Sequence, residues 1–248
     1  MQPCPDRSSQ AQPGAAKIAC SSCNLRELCL PVGFSTDELA RLDDLVAMRR
    51  SVHRGESLFR RGDGFHAVYA VRTGFFKSCT TSADGREQVT GFQMAGELLG
   101  FDGLCEAAHQ CDAVALEDAQ VCVIPYARLA ELAREIAVLQ WQFHRVMSRE
   151  IVREQGVMLL LSGMRADERL AAFLANLAQR LEARGFSASS LVLRMTRDEI
   201  GTYLGLSLET VSRCFSKLHE QGILDVRQKN IRILDPAALK DLVAGVTV

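Results

Sequence analysis

The sequence predicts an α+β chain of 248 residues, in which an N-terminal antiparallel β-roll is followed by a long helix and a C-terminal winged helix-turn-helix. Three observations carry that prediction. Nine of the eighteen glycines fall between Gly55 and Gly103, where they punctuate short strand-like runs such as Val68-Tyr69-Ala70-Val71. From about Tyr126 to Gly163 the glycines thin out and apolar residues recur at helical spacing, interrupted only by Gly156. Beyond Thr196, two short segments with helix-capping residues flank a tight Gly205-Leu206 turn.

Taken in order, residues 1–29 form an arm and a cysteine-rich loop. The first 19 residues hold three of the six prolines together with Ser, Gln, Ala and Gly, a composition that predicts disorder. Cys20, Cys23 and Cys29 then follow in a C-x2-C-x5-C spacing that gathers three thiolates in one short loop. One more ligand would close a metal site. The remaining cysteines, Cys4, Cys79, Cys105, Cys111, Cys122 and Cys214, are all candidates, and the sequence does not choose among them. Zinc and an iron-sulfur cluster both accept four thiolates, so both remain open. The start Met1-Gln2-Pro3-Cys4-Pro5-Asp6 lacks the basic and apolar regions of a secretion signal, and no apolar run reaches membrane-spanning length. A cytoplasmic protein is expected, with no membrane association. In that reducing compartment an odd total of nine cysteines speaks for ligation or redox sensing rather than disulfides.

The β-roll is expected over residues 30–130. It carries Gly96-Glu97 followed by Leu98-Leu99-Gly100. A dimerisation helix is expected over residues 131–163, because Met147, Ile151, Glu154, Met158 and Leu161 follow the 4-3-4-3 spacing of a coiled-coil seam. Glu154 is out of place there. Across a two-fold seam its carboxylate would face its own copy, so association through this face would be marginal.

Residues 164–248 form the predicted winged helix-turn-helix domain, helical until an apolar alternation from Ile223 to Leu234. Thr196 caps a first helix through Leu204, and Ser207 caps a second, in which Val211, Phe215 and Leu218 face the core. Glu209, Thr210, Ser212, Arg213 and Lys217 face outward, and these residue types read base edges in double-stranded DNA. Arg213 can bond O6 and N7 of a guanine bidentately, and Glu209 can accept from a cytosine N4. Two short strands around Gln228-Lys229-Asn230 place Arg227, Lys229 and Arg232 near a phosphate backbone. Net charge of -1 excludes binding by bulk charge, so any DNA contact must be a local patch. Five scattered histidines without a nucleophile motif give no sign of an enzyme.

The run from Asp198 to Arg213, Asp-Glu-Ile-Gly-Thr-Tyr-Leu-Gly-Leu-Ser-Leu-Glu-Thr-Val-Ser-Arg, resembles the DNA-binding signature of the CRP/FNR superfamily, and the resemblance extends from about Cys20 to Val248. Within it, Cys20, Cys23, Cys29 and Cys122 match the four ligands of the oxygen-sensing FNR branch. The resemblance implies a cyclic-nucleotide-binding-like roll, a 4Fe-4S cluster, a homodimer and palindromic promoter sites with TTGAT-type halves, read by Glu209, Ser212 and Arg213. RNA polymerase is the implied partner, with the Asp84-Gly85-Arg86 turn as the candidate contact. Gly96-Glu97 resembles the start of the superfamily's phosphate cassette, but no Lys or Arg occurs between Arg86 and Arg128 to neutralise a cyclic phosphate. That argues against cAMP and leaves Gly96 and Glu97 as a structural relic of the roll. A regulator of the same architecture gated by another ligand in the roll, or a zinc or thiol redox protein, are the alternative readings.

Overall fold

The computed structural model describes residues 23, 25, 29, 33–46, 48–82 and 84–244. The N-terminal arm, with Cys4 and Cys20, lies outside them. A capped helix α1 (Thr36–Leu45) precedes eight strands: β1 (Met48–Val52), β2 (Ser57–Phe59), β3 (Ala67–Thr73), β4 (Phe75–Thr81), β5 (Glu87–Met94), β6 (Leu98–Leu99), β7 (Asp112–Ala115) and β8 (Ala119–Pro125). They form two four-stranded antiparallel sheets, ordered β1-β8-β3-β6 and β2-β7-β4-β5. Alternation along the strands sends Val71, Leu99 and Val121 from one sheet to meet Phe76, Ala113 and Ala115 from the other, which closes the roll. Phe76 is fully buried there, and truncating it to Ala would cost about 3–5 kcal/mol.

The opposite face of the first sheet is covered by helices. Val68, Ala70 and Ile124 pack against Leu42 and Leu45 of α1, Leu129 and Leu132 of α2 (Tyr126–Glu135), and Leu139 of α3 (Ala137–Gly163). The periodicity from Tyr126 to Gly163, read as one helix, thus resolves into two. They break at Ile136, which adopts an extended backbone and buries its branched side chain in this core. Burial of Ile136 lets both helices lie against the sheet, and helical periodicity cannot report a one-residue break.

Helix α3 runs for 27 residues, and its later part leaves the sheet. The C-terminal domain follows with α4 (Ala166–Glu182), β9 (Ser190–Val192), α5 (Arg197–Leu204), α6 (Leu208–Glu220), β10 (Leu224–Arg227), β11 (Asn230–Ile233) and α7 (Pro236–Ala244). The wing holds three strands, ordered β10-β11-β9, where the sequence showed two. Strand β9 spans three residues with a single buried side chain, Leu191, too short an alternation to read as a strand. One core crosses the boundary between the domains: Cys79, Val89, Phe92 and Met94 of the roll join Leu170, Leu174, Ile200, Leu204 and Phe215.

Candidate functional site

The helix-turn-helix forms where its caps place it. Thr196 accepts from the backbone of Glu199 at 3.1 Å, and the Glu199 carboxylate reaches back to the Thr196 amide at 2.7 Å, a capping box that starts α5. The turn requires its glycines. Gly205 has φ +64°, and a Cβ on Gly201 would stand 2.6 Å from the Leu206 carbonyl oxygen. Ser207 then caps α6 by accepting from the Thr210 amide at 3.2 Å. Val211, Cys214, Phe215 and Leu218 bury one face. Glu209 and Arg213 are exposed on the other, with Thr210 and Ser212 half-exposed between them. An Arg213 guanidinium nitrogen lies 3.3 Å from Thr210 Oγ1, which presents the side chain along the helix surface.

Lys217 is arranged differently. Its ammonium pairs with Asp167 at the start of α4, and this hydrogen bond, ahead of the opposing effect of burial, holds the Asp167 carboxyl below the usual carboxylate range. Lys217 therefore ties α6 to α4, although half of its side chain stays exposed. Lys229 is exposed at the tip of the wing, next to Gln228 with φ +58°.

The cysteines sort by layer. Cys122 on β8 lies across from Arg49 on β1 and Ala70 on β3, on the sheet face covered by the helices. Cys29 packs against that same core, and Cys23 is near enough for its charge to act on Cys122. Burial pushes the Cys122 thiol up, while Arg49, which also hydrogen-bonds it, and Arg72 favour the thiolate. The other described cysteines stand elsewhere. Cys79 is buried in the core between roll and C-terminal domain, its thiol pushed up to about 12 first by burial. Cys111 packs against the roll interior and bonds Asp102, Cys214 lies in the α6 core, and Cys105 is exposed. Among the described residues no three His, Cys, Asp or Glu side chains form a metal site, and Cys20 lies outside them. The donor set nonetheless suits an anionic thiolate-bound group, because two guanidiniums flank the one thiol that comes from a rigid strand.

Along α3, Ile151, Met158 and Leu161 are exposed, Glu154 is exposed beside them, and Met147 is half-buried. Trp141, Val152 and Leu159 extend this apolar surface around the helix. Inside the roll, a cavity of about 210 Å³ reaches from Phe59 and Gln93 to Glu150 and Glu154 of α3. Ser78 and Gln93 already satisfy each other there at 3.1 Å. The cavity is smaller than the roughly 300–1,000 Å³ of ordinary ligand pockets. The Asp84-Gly85-Arg86 turn is exposed, held by an Arg86–Asp84 bond of 2.6 Å.

Glu97 is not the relic that the sequence led one to expect. Its carboxylate receives Arg180 of α4 and Arg184 of the turn that follows α4, residues more than eighty positions away. No local signal could have shown this pairing. The same holds for Arg169, whose guanidinium donates to the carbonyls of Leu161, Met164 and Leu204 and so fastens the α3–α4 corner to α5.

Comparison with known proteins agrees with this architecture. The Cyclic nucleotide-binding domain family matches residues 49–135 and the Crp-like helix-turn-helix domain family residues 168–242. The chain is similar to the transcriptional activator protein Anr of Pseudomonas protegens, with 47% identity over 91% of this chain and 93% of that protein. It is likewise 46% identical to the transcriptional regulatory protein btr of Bordetella pertussis, over 90% of this chain and 93% of the other. Among solved structures, FixK2 from Bradyrhizobium japonicum superposes with a TM-score of 0.76 at 32% identity, covering 82% of this chain and all of that one. A roll in the nucleotide-binding arrangement, a long helix and a helix-turn-helix with its reading face open are thus shared with relatives over nearly the whole length, and the chain belongs to the CRP/FNR family of transcription regulators.

Proposed function

We propose that the protein is an oxygen-responsive transcription regulator, in which a homodimer carrying a 4Fe-4S cluster binds palindromic TTGAT-type promoter sites without oxygen and is inactivated when oxygen destroys the cluster. The observation that carries this reading is that Cys29 and Cys122 pack against the same helix-covered core, with Cys23 near Cys122, whereas the other described cysteines lie in different layers. The relatives support it: one from Pasteurella multocida, 43% identical over 94% of this chain and 85% of its own length, is named an anaerobic regulatory protein.

Cys20, Cys23, Cys29 and Cys122 would hold the cluster as thiolates, and the bound cluster supplies a centre that oxygen destroys. With Cys122 fixed in the sheet, ligation would fasten the N-terminal loop against the core that also seats the start of α3. Helix α3 would pair with a second copy through Met147, Ile151, Met158 and Leu161, with Glu154 opposing. An ordering contribution of about 1–3 kcal/mol decides such a balance when the two states are nearly equal. Two copies of α6 would then enter successive major grooves, with Glu209, Ser212, Arg213 and Thr210 at base edges and Lys217 and Lys229 near phosphates. RNA polymerase would be met through the Asp84-Gly85-Arg86 turn, in the cytoplasm. Among the described residues no helix is long and apolar enough to cross a membrane.

Purification without air tests the reading. A brown sample containing iron and sulfide, which binds a TTGAT palindrome and loses both colour and binding in air, is the expected result. A colourless zinc-containing protein would replace the cluster with a structural metal.

A further inference from the structure

Glu97 stands at the turn between β5 and β6, and the turn is rigid. The Glu97 amide donates to the Met94 carbonyl at 3.0 Å, the Met94 amide donates to the Glu97 carboxylate at 3.0 Å, and the Val71 amide of β3 donates to the Glu97 carbonyl at 2.9 Å. The carboxylate is thus held by the roll before anything else reaches it. Two arginines of the DNA-binding domain then do. Arg180 approaches as a fork, Nε to Oε1 at 3.0 Å and a terminal nitrogen to Oε2 at 2.6 Å, and the same nitrogen donates to the Phe92 carbonyl at 2.6 Å. Arg184 lies just past the C-terminal end of α4, four residues on, donating to Glu97 Oε1 at 2.7 Å and also to the Ala95 carbonyl. Only 17% of the Glu97 side chain and 6% of that of Arg184 remain exposed. Burial works to raise the Glu97 carboxyl, but the guanidiniums outweigh it and the group is held ionised.

Around this point the contact is apolar. Phe92 meets Phe173 of α4 with ring centroids 5.9 Å apart and Tyr203 of α5 at 5.2 Å. Lys77 of β4 adds an ion pair to Glu199 at 3.0 Å. Helix α4 is in turn bonded to the recognition helix through Asp167 and Lys217. A chain of fixed groups therefore runs from the roll through Glu97, Arg180 and Arg184 to α4 and on to α6. Apolar contacts tolerate sliding, whereas a forked carboxylate–guanidinium pair fixes both distance and direction.

We propose that Glu97, Arg180 and Arg184 form an interdomain clamp that sets the angle of the DNA-binding domain, and that they are positioning residues for recognition of both halves of a palindrome. The need for such a clamp follows from the geometry of two-fold recognition. Half-sites lie about one helical turn, roughly 34 Å, apart, so the two α6 helices must be presented at one separation and one tilt. A domain free to swing can still seat a single half-site. Its second engagement then carries the cost of ordering both domains, which lowers the effective concentration of the second helix at its half-site. The clamp removes that cost beforehand. It also borders a cavity of about 200 Å³ lined by Cys29 as well as Arg149 and Glu150, so a residue of the proposed sensor loop and the clamp share one wall.

The inference rests on the proposed dimer and palindrome, and its test separates the two. Glu97→Ala, the double variant Arg180→Ala/Arg184→Ala, and all three changes together are compared with the parent, purified without air, on a full palindrome and on a duplex holding one half-site. The clamp predicts that each variant binds the palindrome at least tenfold more weakly and the half-site within about twofold, with the triple variant no worse than the double. Equal losses on both duplexes, or additive losses in the triple variant, would overturn it. Amide exchange at residues 92–97 and 197–204 gives a readout without DNA, and the clamp predicts faster exchange at both segments in every variant. Should the parent fail to bind the palindrome, the functional reading falls, and exchange alone judges the clamp: unchanged rates overturn it.

Discussion

Cys122 and Arg49 are direct cross-strand neighbours on β8 and β1, and the guanidinium of Arg49 hydrogen-bonds the thiol. A cation fixed by strand register beside a thiol favours the thiolate, the form that binds metal. Changing Cys20, Cys23, Cys29 or Cys122 to Ser should abolish iron and sulfide in anaerobically purified protein, while changing Cys4, Cys79, Cys105, Cys111 or Cys214 should leave both. Arg49→Ala should retain the cluster but lose its visible absorbance in air about tenfold faster, the order of effect expected when a ligand's hydrogen-bond partner is removed. An unaltered rate would mean that Arg49 serves only the sheet.

Arg213 is exposed on the reading face of α6, whereas Lys229 sits at the wing tip. Arg213→Ala should cost about 1–3 kcal/mol on the palindrome with little change on random duplex, and Lys229→Ala should weaken both alike and reduce the salt slope by about 1. Titration against both duplexes at several salt concentrations distinguishes a base contact from a phosphate contact.

Glu154 is exposed among Ile151, Met158 and Leu161. Glu154→Ala removes a like-charge repulsion across the proposed seam, so the air-exposed variant should sediment as a dimer where the air-exposed parent is a monomer. If both remain monomeric, the seam is not where association is controlled.

Lys217 holds the Asp167 carboxyl below its ordinary range. A depressed carboxylate pKa contributes stability above the unfolded value and loses it as pH falls through the folded one. Lys217→Met should therefore lower Tm at neutral pH, and the gap to the parent should be full above the ordinary carboxylate range and close as pH falls through the lowered Asp167 pKa. A gap independent of pH would assign the effect to the methylene stem of Lys217 rather than to its charge.

What the sequence disclosed follows from the range of each interaction. Thr196 caps at Glu199 and Ser207 caps at Thr210, each three residues on, so the helix-turn-helix is legible from spacing alone; the spacing of Cys20, Cys23 and Cys29 is legible too, but most of that stretch lies outside the described residues. The place of Cys122 depends on β8 lying between β1 and β3, a register that spacing does not encode. Chemistry leaves six candidates for a fourth ligand, and only the resemblance singles out Cys122. The Glu97 clamp joins residues 83 and 87 positions apart. The sequence displays its acid but not its purpose, because no Lys or Arg lies between Arg86 and Arg128 and the partner arginines come from another domain. Lys217 reads in the sequence as an outward-facing cation for the same reason, its partner Asp167 being 50 residues away.

The core that runs unbroken from Val89, Phe92 and Met94 into Leu174, Leu204 and Phe215 has a consequence for how the molecule melts. Two domains joined only by a linker denature as two events, each with its own midpoint. Here neither half can lose its packing without uncovering apolar surface on the other, so calorimetry should record a single endotherm whose van't Hoff and calorimetric enthalpies agree. Severed at the α3–α4 corner, the C-terminal fragment would carry Phe173 and Tyr203 as a bare aromatic patch and would be prone to self-association. The DNA reader has no solvent-adapted surface of its own on that side.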